Sequence, residues 1–109
     1  MAKLEQFVST DFDALLKRIE SGIMGGSISA TLEDKSDFIT PTARCSVRVF
    51  ERYSYIGGNR VSLSVTLFQS ANTDTVAVSA IASGGSQAMF FKVNTFGEEA
   101  FLDKLRELL

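Results

Sequence analysis

Histidine and tryptophan are absent from this 109-residue chain, and cysteine and proline occur once each. Without histidine there is no Ser-His-Asp triad, no imidazole base at neutral pH and no histidine metal ligand. A single cysteine, Cys45, allows no internal disulfide, which fits a reducing compartment. No helix start adjoins Cys45 to lower its thiol pKa, so a small core side chain is its expected role. No apolar run approaches the ~20 residues that cross a bilayer, and the opening MAKLEQFVST lacks the apolar core of a secretion signal. A strong charge of either sign is also missing. Eleven basic residues against 13 acidic ones leave a net charge of −2, which argues against general nucleic-acid binding. These absences point to a cytoplasmic protein with no metal, cofactor, membrane or nucleic-acid partner, and they disfavour an enzyme.

What is present is an ordinary globular composition, 45% hydrophobic and 22% charged, at a length that fits one domain over residues 1–109. Thr10-Asp11-Phe12-Asp13 reads as a helix start, with an oxygen-bearing cap and acids in the first turn. Phe12, Leu15, Leu16, Ile19 and Ile23 then recur at helical spacing, and Gly22 suits the stop. Ser27–Glu33 alternates as a first strand, Asp34–Thr42 reads as a loop, and Asp74–Ala82 reads as a fourth strand. Ala88–Val93 makes a shorter fifth. Thr95-Phe96-Gly97-Glu98 has the form of a capping box before a closing helix whose stripe is Ala100, Phe101, Leu105, Leu108 and Leu109.

Arg44 to Phe68 is the centre of the pattern. Two alternating runs flank Gly57-Gly58-Asn59, the signature of a hairpin. Cys45, Val47, Val49, Tyr53 and Tyr55 are odd-numbered, as are Val61, Leu63, Val65 and Leu67. A three-residue loop would place both odd sets on one face, with Tyr55 opposite Val61 and Tyr53 opposite Leu63. On the next ribbon, Leu67 is expected opposite Val76 and Val65 opposite Val78. The fold expected is α+β and two-layered: a four- to five-stranded antiparallel meander with N- and C-terminal helices packed on one face.

Three features offer candidate sites. The pairs Gly25-Gly26, Gly57-Gly58 and Gly84-Gly85 fall at one end of such a meander, where close-approaching amides can hold an anion. Tyr55, Asn59, Arg60, Ser86 and Gln87 would stand beside Gly57, Gly58, Gly84 and Gly85. Tight turns also need glycine, and none of the pairs matches a phosphate loop. The second feature is the sheet's other face, expected to carry Arg44, Arg48, Arg52 and small hydroxyl residues, with Phe50 and Phe68 as anchors. That face reads as a self-association surface, as a platform for an acidic ligand or as a solvated face. The third is Glu51, which strict alternation turns toward the core. A partner, whether Arg60, Lys92 or Tyr53, or a bulge that turns Phe50 inward and Glu51 out, would relieve it, and the bulge is the simpler. Glu98 and Glu99 are explained by capping and solvation, and no residue stands out as catalytic.

At ERYSYIGGNRVSLSV and SGGSQAMFFKVNTFGEEAFL the chain resembles a family of small bacterial proteins catalogued only as a domain of unknown function. The likeness runs from FVSTDFDALL to the last helix. It implies a bacterial cytoplasmic source and a single-domain chain, and it carries no activity, ligand or catalytic residue. The function expected is a non-catalytic binding or regulatory module that forms a homodimer through its sheet. The alternative is a small-anion binder or enzyme using the glycine rim with Arg60 and Tyr55, its small-molecule ligand unspecified.

Overall fold

Among the described residues seven elements follow one another: β1 (Ala2–Ser9), α1 (Phe12–Gly25), β2 (Thr31–Ile39), β3 (Ala43–Tyr53), β4 (Arg60–Ser70), β5 (Thr75–Gly84) and α2 (Phe91–Arg106). The computed structural model describes residues 1–26, 29–53, 60–84 and 91–109, with 91–97 described by their backbone alone. The strands form one antiparallel sheet in the order β1-β5-β4-β3-β2, so the chain is α+β. Among the described residues no helix is long and apolar enough to cross a membrane.

The helix start is where the sequence puts it. Asp11 caps α1, its carboxylate accepting from the Ala14 N–H at 2.9 Å, and Phe12, Leu15, Ile19 and Ile23 are buried. Gly22 does not end the helix, which runs on to Gly25. A Cβ at Gly22 would run into the Leu108 side chain, so glycine there lets that side chain approach closely.

Among the described residues there are five strands, but not the five expected. β1 pairs with β5, Leu4 facing Ala80 and Val8 facing Val76. Its alternation is blurred because Gln6 takes an inward position and Phe7 an outward one. β2 runs through Ile39, where a loop from Asp34 was expected. As an edge strand it is exposed from Glu33 to Ile39 and carries four charges, a composition that discourages pairing with another chain's edge. Of the strand expected at 88–93, residues 88–90 lie outside the described residues and Phe91–Val93 belong to α2. Thr95 is therefore inside the helix and is not its cap. Glu98 is buried instead of solvated, accepting from the Gly84 N–H at 2.7 Å and facing the Met1 ammonium at 2.5 Å.

On β4 and β5 the inward sets are those the alternation indicates: Val61, Leu63, Val65 and Leu67, with Val76, Val78, Ala80 and Ala82. Their pairing is slid by two residues, Leu67 opposing Val78 and Val65 opposing Ala80, and a two-residue slip preserves the face. These side chains join Phe12, Leu15, Ile19 and Ile23 of α1 and Phe101, Leu102 and Leu105 of α2 in one buried cluster.

On β3 the expected parity is overturned. Tyr53 pairs with Arg60, Arg52 with Val61, Phe50 with Leu63 and Arg48 with Val65, so paired numbers sum to an odd value. The even residues of β3 share the buried face, and Cys45, Val47 and Val49 turn outward. Tyr55 and Gly57-Gly58-Asn59 lie outside the described residues. The physical reason is that the even positions find partners, Arg44 and Arg48 on α1, Arg52 on α2 and Ser46 on β2. Phe50 is fully buried. Arg44 pairs with Asp13 at 2.8 Å and lies 3.9 Å over the Phe12 ring. Arg48 pairs with Glu20 at 2.6 Å. Arg52 lies 4.5 Å over the Phe101 ring.

Candidate functional site

Two surfaces hold the chemistry. On the inner face, Arg48 is only 4% exposed and is held from three directions. Its Nε donates to Glu20 at 2.6 Å, its Nη1 lies 3.0 Å from Asp37 Oδ1, and Nη1 also donates to the Val47 carbonyl at 3.0 Å. Ser46, also buried, donates to the same Asp37 oxygen at 2.6 Å. Burial alone would lower the guanidinium pKa, but the bonds to Glu20 and Asp37 outweigh it and leave it above its ordinary value. This network joins α1, β2 and β3 and has the character of an internal brace.

Its carboxylates give the fold an acid dependence. The Ser46 hydroxyl, and then Arg48, hold Asp37 below its ordinary value of 3.8, and Arg44 does the same for Asp13. A carboxylate whose pKa is depressed on folding stabilises the fold above its unfolded value, and that stability is lost as pH falls through the folded one. Stability to urea is thus expected to hold from pH 7 to about 5 and to fall below about 4. Asp37→Asn should flatten that acid limb. An unchanged limb would show that Asp37 does not titrate with folding.

The outer face is organised by register. Reading the partners across all five strands, Phe38, Cys45, Phe68, Ala77 and Phe7 form one lateral row. The three phenylalanines are 64%, 45% and 77% exposed in the order Phe38, Phe68, Phe7, which is unusual for three rings in one line. Val47 and Val49 of β3 lie half-buried beside this row, and Ile81 adds an exposed aliphatic group. Between Phe7 and Phe68, over Ala77, is a hollow of about 270 Å³ whose rim includes Glu5, Thr66 and Ser79. Charge collects at the other end of the face, where Arg60 Nε meets Glu51 at 2.8 Å.

Of the arginines and phenylalanines expected on the outer surface, Phe68 alone is there, beside the expected hydroxyl residues Ser62, Ser64, Thr66 and Ser79. Arg44, Arg48, Phe50 and Arg52 occupy the inner face, and Phe38, Phe7, Val47 and Val49 take the surface instead. The signal for this exchange is in the sequence. Arg44 and Arg48 are four residues apart on a strand, about 13 Å, and Asp13 and Glu20 are seven apart on a helix, about 10 Å. Two acids on a helix can therefore meet two arginines on one strand face.

Glu51 turns outward without any bulge in the β3–β4 pairing, and its partner is Arg60, one of the residues considered for that role. Of the expected glycine rim, Tyr55, Gly57, Gly58, Asn59, Gly85, Ser86 and Gln87 lie outside the described residues. Gly84 closes β5 and gives its N–H to Glu98. Gly25 and Gly26 finish α1, where the Gly26 N–H bonds the Gly22 carbonyl at 2.9 Å. Arg60 faces Glu51 and, at 3.7 Å, Glu33. A separate polar cleft of about 470 Å³ adjoins the start of α1 and includes Arg44, Gln69 and Asp74. Its one cation, Arg44, is already bound to Asp13.

The model of a family of unknown function, DUF6054, matches residues 1–109, and the chain belongs to that family. No curated protein and no solved structure matches it.

Proposed function

We propose that this member of DUF6054 is a non-catalytic binding or regulatory module that works as a homodimer, joined through the outer face of its sheet. In this reading both helices cover the inner face, so that the outer one is left for a partner. The observation that carries it is the row from Phe38 to Phe7, which brings three exposed rings into line across the full width of the sheet. Strands of about ten residues are roughly 33 Å long, and five of them at a ~4.8 Å spacing are about 24 Å wide. Their product is near 800 Å², and four overlapping strands still offer about 630 Å², within the roughly 600–1,000 Å² that one partner contributes to a standard-sized stable interface. The flanking charges sit at the rim, and the interior of the face holds valine, serine, threonine and alanine.

Static light scattering provides the test. The intact chain is expected to show twice its 11.9 kDa protomer mass at micromolar concentration. Phe68→Arg, which puts a charge in the middle of the row, should return the single mass. Because Phe68 is at the surface, its unfolding midpoint in dilute solution should barely move. A wild-type chain that scatters as one protomer at several hundred micromolar would end this reading.

A further inference from the structure

We infer that the second copy docks about a two-fold axis running parallel to the strands between β4 and β5, each protomer's Phe68 filling the hollow over the partner's Ala77. The inference rests on the sheet-to-sheet association above and specifies its geometry.

The row alternates in size: Phe38, Cys45, Phe68, Ala77, Phe7. Neighbouring strands are about 4.8 Å apart, so a ring rises every ~9.6 Å with a low residue between. Two such rows cannot meet ring on ring at the ~10 Å spacing of stacked sheets without leaving gaps beside them. A closed dimer is isologous, so one symmetry operation must seat every ring at once. A two-fold axis lying across the strands keeps the row's order and sets each phenylalanine against its own counterpart. An axis parallel to the strands reverses the order. Placed midway between two strands, it sets each large residue over a small one.

Only two such positions overlap four of the five strands, between β4 and β5 or between β3 and β4. A second row and the exposure of the rings separate them: Asp34, Val49, Ser64, Ile81 and Lys3 are successive partners across the same face. With the axis between β4 and β5, Ile81 lies over the partner's Ser64, and Lys3 lies over the partner's Val49 beside the partner's Asp34. A lysine can lay its methylene stem on valine and extend its ammonium to that carboxylate. With the axis between β3 and β4, Asp34 instead lies over the partner's Ile81, within reach of the partner's Lys3 beside it, but Phe7, the most exposed of the three rings, is left uncovered. The first axis also places Phe7 over the partner's Cys45. The hollow at Ala77 has a volume of about 270 Å³. A cavity of about 150 Å³ suffices for benzene, so a phenyl ring fits.

The experiment is a compensating pair, read as dimer dissociation constants by sedimentation. Ala77→Phe fills the hollow, Phe68→Ala removes the ring that enters it, and each is expected to weaken the dimer by roughly tenfold or more. The double variant Phe68→Ala/Ala77→Phe exchanges ring and hollow on both protomers and should recover to within a few-fold of wild type. Ala77→Leu replaces Ala77→Phe if the latter does not fold. A double variant as weak as the two singles combined, or an Ala77→Phe dimer of unchanged affinity, overturns this axis. Recovery by Cys45→Phe/Phe68→Ala instead would place the axis between β3 and β4. A monomeric wild type removes the association itself, and the geometry with it.

Discussion

Phe50→Ala is expected to lower stability by about 3–5 kcal/mol, while Phe68→Ala, measured at monomeric concentration, costs under about 1 kcal/mol. The two residues are phenylalanines on neighbouring strands, and alternation read along β3 would put both on the open face. Register separates them. Phe50 opposes Leu63 on the inner face and is fully buried, whereas Phe68 opposes Cys45 on the outer face and is half exposed. Truncating Phe50 leaves a void among close-packed side chains that relax only in part, and truncating Phe68 leaves a surface that water fills. Urea unfolding in dilute solution checks both, because association would otherwise add its own stabilisation. Equal costs would mean that β3 presents its other face to the helices.

The second large effect is at Arg48. Arg48→Glu sets a buried carboxylate against Glu20 and Asp37, and its expected cost of about 3–5 kcal/mol or more is a large part of the 5–15 kcal/mol typical of a domain. Arg48→Met should be milder, about 1–3 kcal/mol, because Glu20 and Asp37 keep 27% and 47% of their side-chain surface in water. The pH dependence separates charge from packing. Wild type should lose stability in acid as its depressed carboxylates protonate. In Arg48→Glu the crowded carboxylates have raised folded pKa values, so their protonation on acidification should recover stability between about pH 7 and 5. Unfolding midpoints at these two pH values report the variant's gain against a level wild type, whose own loss falls below about pH 4. If Arg48→Glu is as stable as Arg48→Met at both, the brace is not electrostatic.

The parts of this fold legible in the sequence are those where one physical signal acts alone. Asp11 as cap, the Phe12–Ile23 stripe and the odd residues of β4 each follow from capping or from burial of an obvious apolar set. β1 and β2 were harder to read because edge strands are relieved of that demand: Gln6 can face inward and Phe7 outward without penalty from a neighbouring layer. β3 misleads for the opposite reason. Its odd positions are the more hydrophobic, yet the core takes the even ones, because a buried arginine with a matched acid or ring fits where an unmatched one would not. The outer surface inherits the rejected valines and Cys45. The phenylalanine row depends on four separate strand registers, none of which hydropathy alone determines, and so it emerges only once the pairings are known.

Cys45 is the chain's single thiol, and it sits in the middle strand pair of that row, half-exposed. Its reaction rate with a soluble aromatic disulfide therefore reports on the face directly. In dilute solution the native chain should react quickly; at concentrations where two copies associate, it should react slowly, and Phe68→Arg should restore the fast rate at the same concentration. A thiol that stays silent until the chain unfolds would mean that Cys45 faces the core. A fast rate independent of concentration would mean that nothing covers the outer sheet.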